Sequence, residues 1–110
     1  MWLAKQGAEL LGFAYYSQFR AGVGYAHSME HTIYVADAAA GRGLGQQFLA
    51  QVETHAHATG AHVMIAGVLA ANAAGFAFHI RCGYAEVARR PEVGFKFGQW
   101  FDLVLMQKFL

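Results

Sequence analysis

Three alternating glycines, Gly41, Gly43 and Gly45, stand where a β-favouring run, Glu30-His31-Thr32-Ile33-Tyr34-Val35-Ala36, gives way to a helical repeat beginning near Leu44. Glycine has no Cβ, so backbone N–H groups at such a turn can come close to an anion. The unpaired first N–H groups of the helix and its dipole then favour negative charge. A pyrophosphate would suit that place. Gly-rich turns ahead of helices serve close packing just as often, and on this pattern alone both readings stand. No Lys-Ser or Lys-Thr follows the glycines, so this is no Walker loop, and the spacing is not that of the dinucleotide fingerprint. ATP and NAD therefore rank low as ligands.

Metal chemistry fails on spacing. His55 and His57 lie two apart on a helix and point to different faces, while His27 and His31, four apart, fall on loop and strand. No zinc constellation results. Cys82, the sole cysteine, has no base at a nucleophile-like spacing and reads as core packing beside a helix end.

The elements that must hold these groups follow from periodicity. Trp2 to Lys5 and Leu10 to Tyr16, separated by Gln6-Gly7-Ala8-Glu9, read as a hairpin. Phe19 to Ala26, interrupted by glycines, reads as a loop, and the Glu30–Ala36 run is the strongest strand. Leu44, Phe48, Val52 and Ala56 recur every four residues with Leu49 beside them, and Gly60 is placed to end that helix. His62 to Val68 reads as a buried strand and Ala73 to Cys82 as a second helix closed by Gly83. Tyr84 to Ala88 and Phe101 to Met106 read as two further strands joined across Pro91 to Gly98. The order β-β-β-α-β-α-β-β predicts an α/β fold with a mixed sheet. The first strand has nothing before it to cover its outer edge, and a bare edge invites pairing with another chain.

Composition narrows the class. At 110 residues the chain is one domain, and 56% apolar against 14% charged content argues for a packed core rather than disorder. Eight basic residues against seven acidic ones leave +1, which offers no broad surface for nucleic acid. No window approaches the ~18 unbroken apolar residues of a spanning helix, so no membrane is expected. With one cysteine and no charged-then-apolar leader at Met1, the expected compartment is the cytoplasm.

Gly41-Arg42-Gly43-Leu44-Gly45-Gln46, preceded by Glu30 to Val35, resembles the acyl-CoA loop of the GCN5-related N-acetyltransferase (GNAT) superfamily. Asn72, His79 and Cys82-Gly83-Tyr84 resemble its next block. The ending Phe95-Lys96-Phe97-Gly98-Gln99-Trp100-Phe101-Asp102 is similar to the phosphinothricin and methionine sulfoximine/sulfone N-acetyltransferase branch. The likeness runs along the whole chain, residues 1–110 being one partial domain of that fold. It departs in three places. Ala40 replaces the usual Gln or Arg before the loop, Gly22 replaces a second arginine, and the family's first strand and first two helices have no counterpart. A further segment or a partner chain is expected to supply that wall of the acceptor pocket.

The resemblance implies acetyl-CoA as co-substrate, with its pantetheine and pyrophosphate along Ile33, Tyr34 and Val35 and over Gly41, Arg42, Gly43, Leu44, Gly45 and Gln46. Asn72 would hydrogen-bond the pantetheine, although a helix N-cap is an equal reading of its place before Ala73-Ala74. Glu30, at the substrate end of its strand, would be the general base. His79, where many relatives carry an acidic tyrosine, would protonate the thiolate or touch the cofactor; a packed helix histidine is the plain alternative. Arg20, Ala21 and Gly22 correspond to an acceptor loop in which Arg20 can clamp a carboxylate, and His31 and Thr32 would complete the pocket floor. Trp100, Phe97 and Tyr25 form either an apolar wall or ordinary core. The expected reaction is acetylation of the amine of a small amino-acid-like compound by direct attack within a homodimer. A non-catalytic CoA-binding or assembly module, or an acetyltransferase for another amine class, is the alternative.

Overall fold

The computed structural model describes residues 1–110. They divide into two compact units, residues 1–64 together with Leu110, and residues 65–109. Six strands and two α-helices follow in the expected order, and no helix is long and apolar enough to cross a membrane.

The first unit holds β1 (Trp2–Gln6), β2 (Glu9–Gln18), β3 (Ser28–Val35) and α1 (Leu44–Ala58). The β1–β2 turn is two residues, Gly7-Ala8. Gly7 takes φ 62, which is the first-position glycine of a type II′ hairpin. β2 pairs antiparallel with β3 from Gly12↔Val35 to Gln18↔Met29. Side chains alternate across a strand, so Phe13, Tyr15 and Ser17 share one face with Tyr34, Thr32 and Glu30. Gly12, Ala14 and Tyr16 share the other with Val35, Ile33 and His31.

That second face lies under α1, whose Phe48, Leu49, Val52 and Ala56 are buried as the four-residue repeat requires. Burying a side chain such as Leu49 or Val52 contributes about 1.5–3 kcal/mol. Gly60, at φ 97, closes the helix. Its N–H reaches His57 O at 3.1 Å and the Ala61 N–H reaches Ala56 O at 2.9 Å, the paired closure of a Schellman motif.

In the second unit β4 (Val63–Leu69), which carries the chain across the division, stands beside β6 (Gln99–Phe109), and β6 pairs with β5 (Ala85–Lys96). α2 (Ala73–Arg81) ends on Gly83 with the same double closure as α1. Ile65, Ala66, Val68, Tyr84, Val104 and Met106 form this unit's core.

One expected element changes. The loop expected over Pro91 to Gly98 is strand, and the hairpin turns in only two residues, Phe97-Gly98. Proline cannot donate to a ladder, which confines it within sheets to edges and breaks. Here it falls on an outer strand at a register break between Arg90 and Gly94, the setting in which a missing N–H costs no ladder bond. Within the break Glu92 adopts φ 52, and its N–H donates to Asp102 Oδ1 at 3.0 Å.

The tip of that hairpin carries a strain that can be tested. Phe97 and Gly98 sit at φ 53 and 72, the type I′ pattern that Asn-Gly satisfies and a bulky aromatic does not. Phe97 is 85% exposed, so it loses little packing when replaced. Phe97→Asn is expected to stabilise the fold by about 1 kcal/mol, a rise of roughly 4 °C in Tm by calorimetry.

Candidate active site

β3 places two chemical functions at its two ends. Glu30 is its third residue and Val35 its last, and the five steps between them span about 16 Å at the usual strand rise. Glu30 sits opposite Ser17, half-buried, and burial pushes its carboxyl above the ordinary value of 4.5. The ionised form loses hydration there, so the acid form is favoured. Thr32 and Tyr34 lie exposed on the same face. Phe13 stacks on Tyr34 at 5.3 Å and on Tyr15 at 6.3 Å between ring centroids. Three aromatic rings thus continue the Glu30 face toward the far end of the strand.

His31 was expected beside Glu30 on a pocket floor. The alternation of the strand sends it to the opposite face, where it is buried and only 7% exposed under α1. It supports the strand from behind.

Arg20, Ala21 and Gly22 lie in the exposed loop at the Glu30 end. The loop is held from within, since Gln18 Nε2 donates to both Arg20 O and Gly22 O at 2.8 Å. Gly22 takes φ 119 ahead of a 3-10 turn at Val23–Tyr25. The Arg20 guanidinium rests 5.2 Å from the centre of the Tyr25 ring. A stacked guanidinium keeps its in-plane N–H groups for a carboxylate. Tyr25 therefore belongs to this loop as a platform for Arg20.

At the other end the chain leaves β3 through Asp37–Ala39, a short 3-10 turn, and enters the glycines. Gly41 and Gly43 take φ 79 and 75, are exposed, and a Cβ at either would meet nothing within 4 Å. Gly43 is the N-cap of α1. No side chain caps that helix end and its first turn holds no acidic residue. The first helical bond runs from Gln47 N to Gly43 O at 3.0 Å, so the N–H groups of Leu44, Gly45 and Gln46 precede the helical ladder. Left-handed glycines, open space in front and an uncapped N-terminus match the needs of a phosphate-bearing ligand.

In the second unit Asn72 caps α2, its Oδ1 accepting the Gly75 N–H at 2.9 Å. Its oxygen is thereby used by the helix, and the amide nitrogen remains the group for a ligand. His79 is buried, with edge-on contacts to Phe78 and Tyr84 at 5.1 and 5.3 Å. Its Nδ1 lies 2.8 Å from Gly75 O. A carbonyl only accepts, so Nδ1 carries the proton, and Nε2 can donate only from the charged ring. Trp100 packs edge-on to Phe95 at 4.7 Å, its direct cross-strand partner, rather than to Phe97.

The sequence profile described as an acetyltransferase (GNAT) domain matches residues 1–105. The chain belongs to the GNAT acetyltransferase family. It is 42% identical over 99 residues to the L-methionine sulfoximine/L-methionine sulfone acetyltransferase of Pseudomonas paraeruginosa, covering 90% of this chain and 58% of that protein. The chain thus spans less than two thirds of that relative's length. Among solved structures, a ribosomal-protein-alanine N-acetyltransferase from Brucella melitensis superposes with TM-score 0.90 at 42% identity, over 98% of this chain and 67% of that one. A GNAT superfamily phosphinothricin acetyltransferase from Sinorhizobium meliloti, solved with acetyl-CoA, gives TM-score 0.87 at 31% identity, over 96% of this chain and 57% of that one. Fold and family are as the motifs implied.

Two glycines of this GNAT domain carry roles that the sequence reading passed over. A Cβ at Gly75 would fall 2.4 Å from Asn72 Nδ2, so Gly75 makes room for the side chain that caps it. Gly12 likewise lies under α1. The available signals were Asn-x-x-Gly at a helix start and a lone glycine inside a strand, which marks close approach. Asn72→Asp separates the two roles of Asn72. An aspartate keeps the cap and favours the helix dipole, so Tm should hold within about 1 kcal/mol of stability. It lacks the amide donor, so acetyl-CoA affinity measured by calorimetry should fall about tenfold if that nitrogen binds the cofactor.

Proposed function

We propose that this GNAT domain binds acetyl-CoA over Gly41–Gln46 and along Ile33–Val35, and transfers the acetyl group to the amine of a small amino-acid-like compound. The observation that carries this reading is the uncapped, glycine-opened start of α1 beyond one end of β3, with half-buried Glu30 near the other end of that strand. The residues present fit the cofactor. The N–H groups of Leu44, Gly45 and Gln46 hold its phosphates, β3 backbone groups pair with its amide-bearing arm as an added strand would, and the Asn72 amide nitrogen adds a donor. When bound, acetyl-CoA supplies an acetyl group activated as a thioester.

Glu30 then accepts a proton from the acceptor ammonium, directly or through a water, freeing the nitrogen lone pair for attack. The Val35 backbone N–H, which points away from β2, meets the charge that grows on the carbonyl oxygen. As the C–S bond breaks, the acylated nitrogen gives up its second proton to water and the thiolate takes one, for which the charged ring of His79 is the proposed donor through Nε2. No acyl-cysteine is needed, and Cys82, half-buried at the end of α2, stays outside the reaction. Arg20 in its Tyr25-braced loop pairs with the acceptor's carboxylate. The named relatives act on methionine sulfoximine, methionine sulfone and phosphinothricin, all amino acids, and this chain is proposed to share that class. A homodimer, a cytoplasmic setting and no nucleic-acid or membrane partner complete the proposal.

A second reading has one observation in its favour. The Brucella melitensis structure, at 42% identity, is described as acting on a ribosomal protein's alanine, which makes a peptide N-terminus the rival acceptor. The deciding experiment titrates acetyl-CoA calorimetrically and follows thiol release with methionine sulfone, methionine sulfoximine, phosphinothricin and an N-terminal alanine peptide. Release with the free amino acids supports the proposal. Release with the peptide alone favours the rival, and binding without release under any acceptor leaves a CoA-binding module.

A further inference from the structure

Resting on the acetyl-CoA reading above, we infer that Gly12 is a positioning residue for cofactor binding. Its missing side chain sets the height at which the first turn of α1 sits over the Tyr34-Val35 backbone. Gly12 is buried in β2 directly opposite Val35. Its φ is not in the left-handed region, so backbone conformation does not require a glycine there, and a glycine inside a strand weakens it. Space is the reason instead. A Cβ at this position would lie 2.5 Å from Tyr34 O, 3.0 Å from Phe48 Cε2 and 3.3 Å from Leu44 Cδ2.

Those three atoms belong to both halves of the proposed cofactor site. The Tyr34 carbonyl is backbone of the stretch that would meet the acyl group, and it cannot rotate away as a flexible side chain can. Leu44 is the first residue of α1 and supplies one of the N–H groups proposed to hold the phosphates. Phe48, only 4% exposed, sits one turn further along the same helix. Because packed interiors transmit rather than absorb extra volume, one methyl at Gly12 must move the strand, the helix start, or both. The distance between acyl-end and phosphate-end donors is therefore set at a residue that touches neither part of the ligand.

The test uses Gly12→Ala in the full chain, with three readouts. Amide resonances recorded without any ligand should move at Tyr34, Val35 and Leu44 to Gln46. The acetyl-CoA dissociation constant should rise about tenfold or more, equivalent to roughly 1.4 kcal/mol. At saturating acetyl-CoA, kcat should fall several-fold while KM for the acceptor amine stays near the parent value, because the backbone facing the acyl carbonyl moves and the acceptor side does not. A lower Tm with those amides and the affinity unchanged overturns the inference and leaves Gly12 a packing residue. Should Gly12→Ala not fold, Phe48→Leu withdraws the ring edge above Gly12 without a clash. The same amides should then shift and affinity fall several-fold, and no change in either overturns it. The failures stay distinguishable. If the parent chain does not bind acetyl-CoA the proposed function is lost, yet the ligand-free amide shifts still decide whether Gly12 couples strand to helix start.

Discussion

Glu30→Gln is expected to lower kcat by about two to four orders of magnitude, the usual worth of a positioned general base, while acetyl-CoA affinity stays within about twofold of the parent. The amide keeps the size and polarity of the carboxylate but cannot take a proton from an ammonium. Burial already pushes the Glu30 carboxyl above 4.5, which brings it closer to the pH at which a base is most useful. The rate should therefore rise with pH along a limb that begins above the ordinary carboxylate range, and Glu30→Gln should lose that limb.

The same displacement fixes the sign of the stability effect. Between 4.5 and its raised native value, Glu30 holds more proton in the folded chain than in the unfolded one. Stability therefore falls as pH rises through that window, and above it the ionised, partly desolvated carboxylate remains a cost. Glutamine carries no charge to desolvate. At pH 7–8 the variant should melt at or above the parent temperature while being nearly inactive, which separates a chemical role from a structural one. Unchanged turnover with the best amine would remove Glu30 as the base.

Much of this arrangement was legible in the residues, for reasons that differ from element to element. The helix over Leu44–Ala58 announces itself because Phe48, Leu49, Val52 and Ala56 all face one core, so period and burial coincide. β3 is equally plain, being β-branched and aromatic with turn residues on both flanks. The long β5–β6 hairpin was hidden because Pro91 and a two-residue Phe97-Gly98 turn both break local rules that tertiary pairing overrides. At the site, the glycine loop, Glu30 and Arg20 were readable as residue types at meaningful positions. His31 was misplaced because adjacency in sequence is opposition in a strand. The fit of Gly12 beneath Leu44 and Phe48 was illegible altogether, since a glycine records what it leaves room for only once the neighbours are in place.

Gly43→Asp is expected to weaken acetyl-CoA binding about a hundredfold or more, and its comparison with Gly43→Asn isolates the electrostatic part. Gly43 sits at φ 75 as the N-cap of a helix with no side-chain cap and no acid in its first turn. Asp and Asn are the non-glycine residues that best tolerate this left-handed conformation, so the two variants should fold with similar Tm. They differ in one charge. A carboxylate some 4–5 Å from one phosphate charge, at an effective dielectric constant near 20, costs about 3–4 kcal/mol. Asparagine carries no such charge and should lose less than about tenfold, through the bulk it adds to the open space before the helix. Added salt should narrow the gap between them, because the site is exposed and screening acts within about 10 Å at 0.1 M. Equal affinity of both variants and the parent would mean that the start of α1 does not hold the phosphates. A gap that closes with salt would tie the cofactor's charge to this helix end, which the glycines leave open and no carboxylate of the chain occupies.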